Sequence, residues 1–98
     1  MIIRYSRRAT RDLEAIHAYL VQRSPQGALN VLRAIYGSIE FIRRYPQAAG
    51  ATSIPGIRVM IVRRYRFRIF YRVVEAESVA EIVHVRHTSR RPWAGDED

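Results

Sequence analysis

Arg66-Phe67-Arg68-Ile69-Phe70-Tyr71-Arg72-Val73-Val74 alternates between two kinds of side chain along nearly its whole length. On an extended strand Phe67, Ile69, Tyr71 and Val73 share one face, and Arg66, Arg68, Phe70 and Arg72 share the other. Such alternation predicts a strand that buries one face and leaves the other open. Working outward, the polar Glu75-Ala76-Glu77-Ser78 reads as a hairpin loop, and 79–86 as the next strand. Upstream, 57–63 is rich in branched residues and reads as the preceding strand. Loops this short imply an antiparallel meander.

Ahead of this β half the period changes. Ala9, Leu13, Ile16, Leu20 and Val21 follow at spacings of 4, 3, 4 and 1, which is a helical stripe with Arg7, Arg8, Arg11, Asp12 and Glu14 off it. Ser6 is placed to cap that helix. Ser24-Pro25 ends it and starts another, whose stripe is Ala28, Val31, Leu32, Ile35, Ile39 and Ile42 and whose end is Tyr45-Pro46. Two amphipathic helices with so tight a junction form an antiparallel hairpin. A loop over 47–56 closes with the turn signal Pro55-Gly56, and 2–5 reads as a short first strand. The expected architecture is α+β: a two-layer βααβββ domain, its N-terminal helical hairpin packed on a mainly antiparallel sheet. One domain over 1–95 is expected, with 96–98 a disordered acidic tail.

Composition narrows the function. The 98 residues suit one core. With 48% hydrophobic and 27% charged residues the chain is expected to be globular. No cysteine is present, which excludes a disulfide framework, a thiol nucleophile and thiolate metal sites. There is no apolar run long enough to span a bilayer and no signal-peptide pattern at the start, so the expected location is cytoplasmic, with no membrane partner. Seventeen cations against nine anions give +8, and every cation is Arg. Coding bias accounts for much of the missing Lys. The net excess points to a polyanionic partner, either nucleic acid or an acidic protein segment.

The strand with Arg66, Arg68 and Arg72 is the first candidate surface. Arg58 and Arg64, and His84 and Arg86 from the next strand, would join it if register allows. Phe70 among these cations suits phosphate contact with base stacking, although a solvated sheet face would carry the same residues. His84 and His87 are three apart, so a strand would point them to opposite faces, and no metal site is expected. No Gly-rich phosphate loop or nucleophile elbow is visible, and no cofactor is expected. His87 could serve as a general acid or base, or simply make a structural bond at a strand end. Trp93 reads as a plug where the tail folds back, or as a recognition residue. Tyr36 and Phe41, off the second stripe, read as a further packing edge.

In order and local motif the chain resembles the RelE/ParE superfamily of bacterial toxins. The resemblance rests on Arg11-Asp12-Leu13-Glu14-Ala15-Ile16 with Tyr19, residues 42–46, Gly56-Ile57-Arg58, Tyr65-Arg66-Phe67-Arg68-Ile69-Phe70-Tyr71-Arg72-Val73, and Ile82-Val83-His84-Val85-Arg86-His87 followed by Arg90-Arg91-Pro92-Trp93. It implies the toxin of a type II toxin–antitoxin module, neutralised by a ParD- or RelB-like antitoxin in a hetero-oligomer that binds operator DNA through the antitoxin. The long helical hairpin and the His87…Trp93 ending look more like ParE, which implies inhibition of DNA gyrase and no catalytic residue. The alternative is a RelE-like ribosome-dependent mRNA endoribonuclease, with Arg58 and Arg68 on the phosphate and His87 as proton shuttle. Lys is absent and Trp93 stands where many RelE-like toxins have Tyr, both against that alternative; Arg68 matches the RelE-like strand arginine. The expected antitoxin- or target-binding residues are Arg58, Arg66, Arg68, Arg72, Arg86, Arg90, Arg91 and Trp93.

Overall fold

A computed structural model describes residues 1–89 together with Trp93 and Gly95. The elements run β1 (Ile2–Tyr5), α1 (Arg7–Arg23), α2 (Pro25–Arg44), β2 (Gly50–Ala51), β3 (Arg58–Val62), β4 (Phe67–Val74) and β5 (Val79–His87). They form one sheet in the order β1-β5-β4-β3-β2, antiparallel except for the parallel pair β1 and β5. The expected α+β layering holds, with one addition. The two residues of β2 pair with Arg58 and Val59 at the sheet edge, inside the stretch expected to be loop. Gly and Ala carry no strand signal, so the pairing is set by the neighbouring backbone.

Two serines fix the helices. The Ser6 hydroxyl accepts from the Ala9 N–H at 3.0 Å and donates to the Val83 carbonyl at 2.9 Å, tying the start of α1 to β5. Ser24 closes α1 through its own N–H to the Leu20 carbonyl, and its hydroxyl accepts from the Gly27 N–H at 2.9 Å to open α2. With Pro25 at the first helical position, one residue serves both helices. Ala9 and Leu13 of α1 and Val31, Ile35, Ile39 and Ile42 of α2 meet Val62, Phe67, Ile69, Tyr71, Ala80, Ile82 and Val85 of the sheet. The Tyr71 hydroxyl, inside this core, donates to the Pro46 carbonyl at 2.7 Å.

Two details decide what the open face of the sheet carries. Phe70 stands opposite His84 while Tyr71 stands opposite Ile82, so Val83 is an extra residue in β5. Strict alternation from Ile82 would turn His84 and Arg86 into the core. The bulge instead keeps Ile82 and Val85 inside and puts His84 and Arg86 on the face of Phe70. The second detail is the β3–β4 connection. Arg63–Tyr65 form a single 3-10 turn, and Arg66 follows at φ 60°, in the left-handed region. Arg66 therefore precedes the strand and does not belong to its alternating face, as the sequence pattern had implied. The β4–β5 connection repeats the design, with Glu75–Glu77 as the turn and Ser78 at φ 54°.

Candidate interaction site

On the open face Arg68 lies opposite Arg86, Phe70 opposite His84, and Arg72 opposite Glu81. These pairs differ in character. Arg72 Nε donates to Glu81 Oε1 at 2.8 Å, so its charge is matched within the sheet; Glu81 Oε2 is 3.4 Å from Arg4 Nε. Arg86 is buried, with Nη1 3.3 Å from His84 Nε2. A guanidinium only donates, so Nε2 of His84 accepts and Nδ1 carries the ring proton. That proton points to Asp12 Oδ2, 2.6 Å away on α1, and the same oxygen accepts the Val85 N–H at 2.9 Å. Asp12, half-buried, and the buried His84 and Arg86 thus form a chain that clamps α1 to the bulged half of β5.

Trp93 covers this chain from outside, its ring 4.8 Å from Phe70 and 5.0 Å from His84. Phe70 is buried beneath it. This corrects the expectation of an exposed aromatic among cations: Phe70 is part of a closed aromatic layer, not an open plate for a base.

The other named residues are dispersed. Arg58 pairs in register with Tyr71, which places it on the helix-side face, and its Nη1 donates to the carbonyls of Ala49 at 2.8 Å and Gln47 at 3.3 Å. It does not join Arg68, because the register of β3 allows only Val59 and Ile61 on that face. The Arg58 charge pulls the neighbouring Tyr71 hydroxyl down, while burial, the larger influence, pushes it above its ordinary value. His87 stands opposite Phe67, on the side away from Arg68, with its ring edge-on to Phe67 at 5.2 Å. Its Nδ1 accepts the Ser89 N–H at 3.0 Å, leaving the proton on Nε2. Arg64 sits in the 3-10 turn, with its guanidinium 5.5 Å from the Tyr65 ring centre. Arg58, Arg68 and His87 therefore do not converge: Arg68 is across the sheet from the other two, and four strand residues, about 13 Å, separate Arg58 from His87 along it. Arg90, Arg91 and the 96–98 tail lie outside the described residues.

A second feature went unread in the sequence. Only Ala9 and Leu13 of α1 are fully buried. Past Leu13 the stripe continues as Ile16 and Leu20, but β1 ends at Tyr5 and leaves the outer edge of β5 beyond Ile82 uncovered. The result is a largely apolar groove of about 680 Å³ between α1 and the end of β5. Ile16, Tyr19 and Leu20 form one wall; Tyr65, Phe67 and His87 contribute to the other. Asp12 and Arg86 lie at its polar end. The signal available was a helix stripe longer than the strands opposite it.

A helical hairpin laid on a sheet of this order is the RelE/ParE-type toxin fold. The family model described as "ParE toxin of type II toxin-antitoxin system, parDE" matches residues 3–92, and the chain belongs to that family. Among solved structures, the chromosomal ParDE system of P. aeruginosa matches with TM-score 0.75 and 27% identity over 89% of this chain and 95% of that one. The isolated E. coli RelE toxin matches with TM-score 0.65 and 13% identity, covering 91% of this chain and 85% of that one, a likeness of fold alone. The RelBE2 complex of Mycobacterium tuberculosis matches with TM-score 0.59 and 22% identity, over 88% and 95%, again fold alone. No curated protein matches in sequence.

Proposed function

We infer that this ParE-family toxin acts by binding, with DNA gyrase as its target, and that a cognate ParD-like antitoxin silences it by filling the groove between α1 and β5. The observation that carries the reading is the separation of Arg58, Arg68 and His87. Cleavage of a phosphodiester needs its base, acid and charge-stabilising groups within hydrogen-bond reach of one phosphate, and these three lie on two faces of the sheet. The groove suits an amphipathic segment instead: Ile16, Tyr19 and Leu20 offer apolar anchorage and Arg86 a cation at one end. The ParDE and RelBE2 structures that the chain matches are of toxin–antitoxin systems, which supports an antitoxin as the occupant.

The purified chain is expected to inhibit supercoiling by gyrase, and pre-incubation with antitoxin is expected to restore it. Induction without antitoxin should raise DNA-damage signalling before translation slows. Cleavage of ribosome-bound mRNA by the purified chain, abolished in His87→Gln, would overturn the reading.

A further inference from the structure

Some arginines of this chain are matched by carboxylates and others, such as Arg7 and Arg33, stand singly on the helices without one among the described residues. Arg4 lies 2.8 Å from Glu77, Arg43 and Arg44 share Glu40 at 2.6 and 3.1 Å, and Arg72 meets Glu81 at 2.8 Å. At the β3–β4 connection unmatched arginines cluster. Arg63, Arg64, Arg66 and Arg68 occupy four of six consecutive positions, and none has a carboxylate within ion-pair distance among the described residues. Arg63, Arg64 and Arg66 are exposed at the tip of the turn, and Arg68 is half-buried at the start of the strand behind it. The connection also holds Arg66 in a left-handed conformation that a residue with a Cβ adopts at some cost, fixed by the Thr88 N–H on its carbonyl at 2.7 Å. Three like charges on one turn, with a fourth on the strand behind it, repel each other until a polyanion neutralises them.

We propose that the turn carrying Arg63, Arg64 and Arg66, with Arg68, is a contact surface for the phosphate backbone of duplex DNA. Two observations select this partner. Protein-docking surfaces centre on an apolar core, whereas Ile61 is the one large exposed hydrophobic residue near this turn; the others are on β1, α1, α2 and Tyr45. A single strand would be held by stacking on open aromatic faces, and Phe70, the aromatic of β4 nearest Arg68 on that face, is closed under Trp93. What remains is a projecting cluster of guanidiniums, suited to backbone phosphates without base reading. The surface adjoins the groove assigned to the antitoxin, whose lining includes Tyr65 and Phe67. None of its four arginines lines that groove, and the inference rests on charge placement alone, whatever the toxin's target.

The test is fluorescence anisotropy of the purified full chain with a short labelled DNA duplex of mixed sequence, without gyrase or antitoxin. Four phosphate contacts predict a log–log salt slope of about −3.6, so affinity should fall about 150-fold between roughly 50 and 200 mM salt. In Arg63→Gln/Arg64→Gln/Arg66→Asn, where Asn tolerates the left-handed turn, the fall should shrink to about fourfold, the worth of one contact. Arg33→Gln/Arg43→Gln/Arg44→Gln removes the same charge from α2 and should leave the slope unchanged. Equal losses in both triple variants would mean diffuse attraction and overturn the proposal. So would tighter binding to a single strand with the same number of phosphates, or equal binding of a polyglutamate peptide that depends on the same turn. Failure here leaves the gyrase reading standing, and a chain that binds DNA while sparing gyrase would fail that reading alone.

Discussion

Asp12→Ala should be among the most damaging single changes on α1, although the residue it removes is charged and its neighbours Arg11 and Glu14 are exposed. The Asp12 carboxylate accepts two hydrogen bonds, from His84 Nδ1 at 2.6 Å and from the Val85 N–H at 2.9 Å. His84 is fully buried and cannot relieve the loss by moving its proton, because a proton on Nε2 would then face the Arg86 guanidinium. Two buried donors are left without an acceptor, at about 1–3 kcal/mol each. Ala is the better helix former by roughly 0.6 kcal/mol, which offsets part of this. The net loss is about 1.5–5.5 kcal/mol, and at about 4–8 °C per kcal/mol for a domain this size even its lower end lowers Tm by about 6–12 °C. Urea denaturation should show a lower midpoint at unchanged m-value, while Glu14→Ala on the same helix stays within about 0.5 kcal/mol. In a His84→Leu background only the Val85 donor is orphaned, so the two changes should couple by about 1–2 kcal/mol. A loss below about 0.5 kcal/mol, or a cycle with no coupling, would refute the clamp.

The layers were legible in the sequence because each rests on a period. The helix stripes beginning at Ala9 and Ala28 and the alternation of 67–73 put inward Ala9, Leu13, Ala28, Val31, Ile35, Ile39, Ile42, Phe67, Ile69 and Tyr71, all of which the structure buries. Val21 at the end of the first stripe is nevertheless exposed, and Phe70 on the other face is buried. Ser6 and Ser24 cap as their position predicts. The faces near the candidate site were less legible, for a physical reason. An added residue at Val83 reverses which side later residues occupy, and nothing in Ile82-Val83-His84-Val85 marks it. Register has the same effect on Arg58, whose partner on β4 fixes its face but cannot be read from β3 alone. The Asp12–His84 pair spans 72 positions, beyond any local pattern. A carboxylate beside the Ala9-Leu13-Ile16 stripe was its one trace.

Three further outcomes follow from the same geometry. Glu40, held at about 2 chiefly by its hydrogen bond to Arg43, contributes stability that is complete above the usual carboxylate range and is lost as pH falls toward 2; Glu40→Gln should flatten that part of an acid titration followed by circular dichroism. Nitrogen-15 spectra of the imidazoles should place the proton on Nδ1 in His84 and on Nε2 in His87, and the reverse pattern would contradict the bonding to Arg86 and to Ser89. The sharpest separates binding from folding at the groove. Tyr19 is 58% exposed, its ring lies 4.1 Å under the Arg23 guanidinium, and it lines the groove without belonging to the core. Tyr19→Ala should therefore leave thermal stability nearly unchanged, within about 0.5 kcal/mol. An anchoring tyrosine at the middle of an interface is worth about 1–2 kcal/mol or more, so antitoxin should dissociate about 5–30-fold more readily, visible as a faster off-rate by surface plasmon resonance. Unchanged antitoxin affinity in a folded Tyr19→Ala chain would remove the groove as the docking site, because no occupant that fills it can avoid that ring.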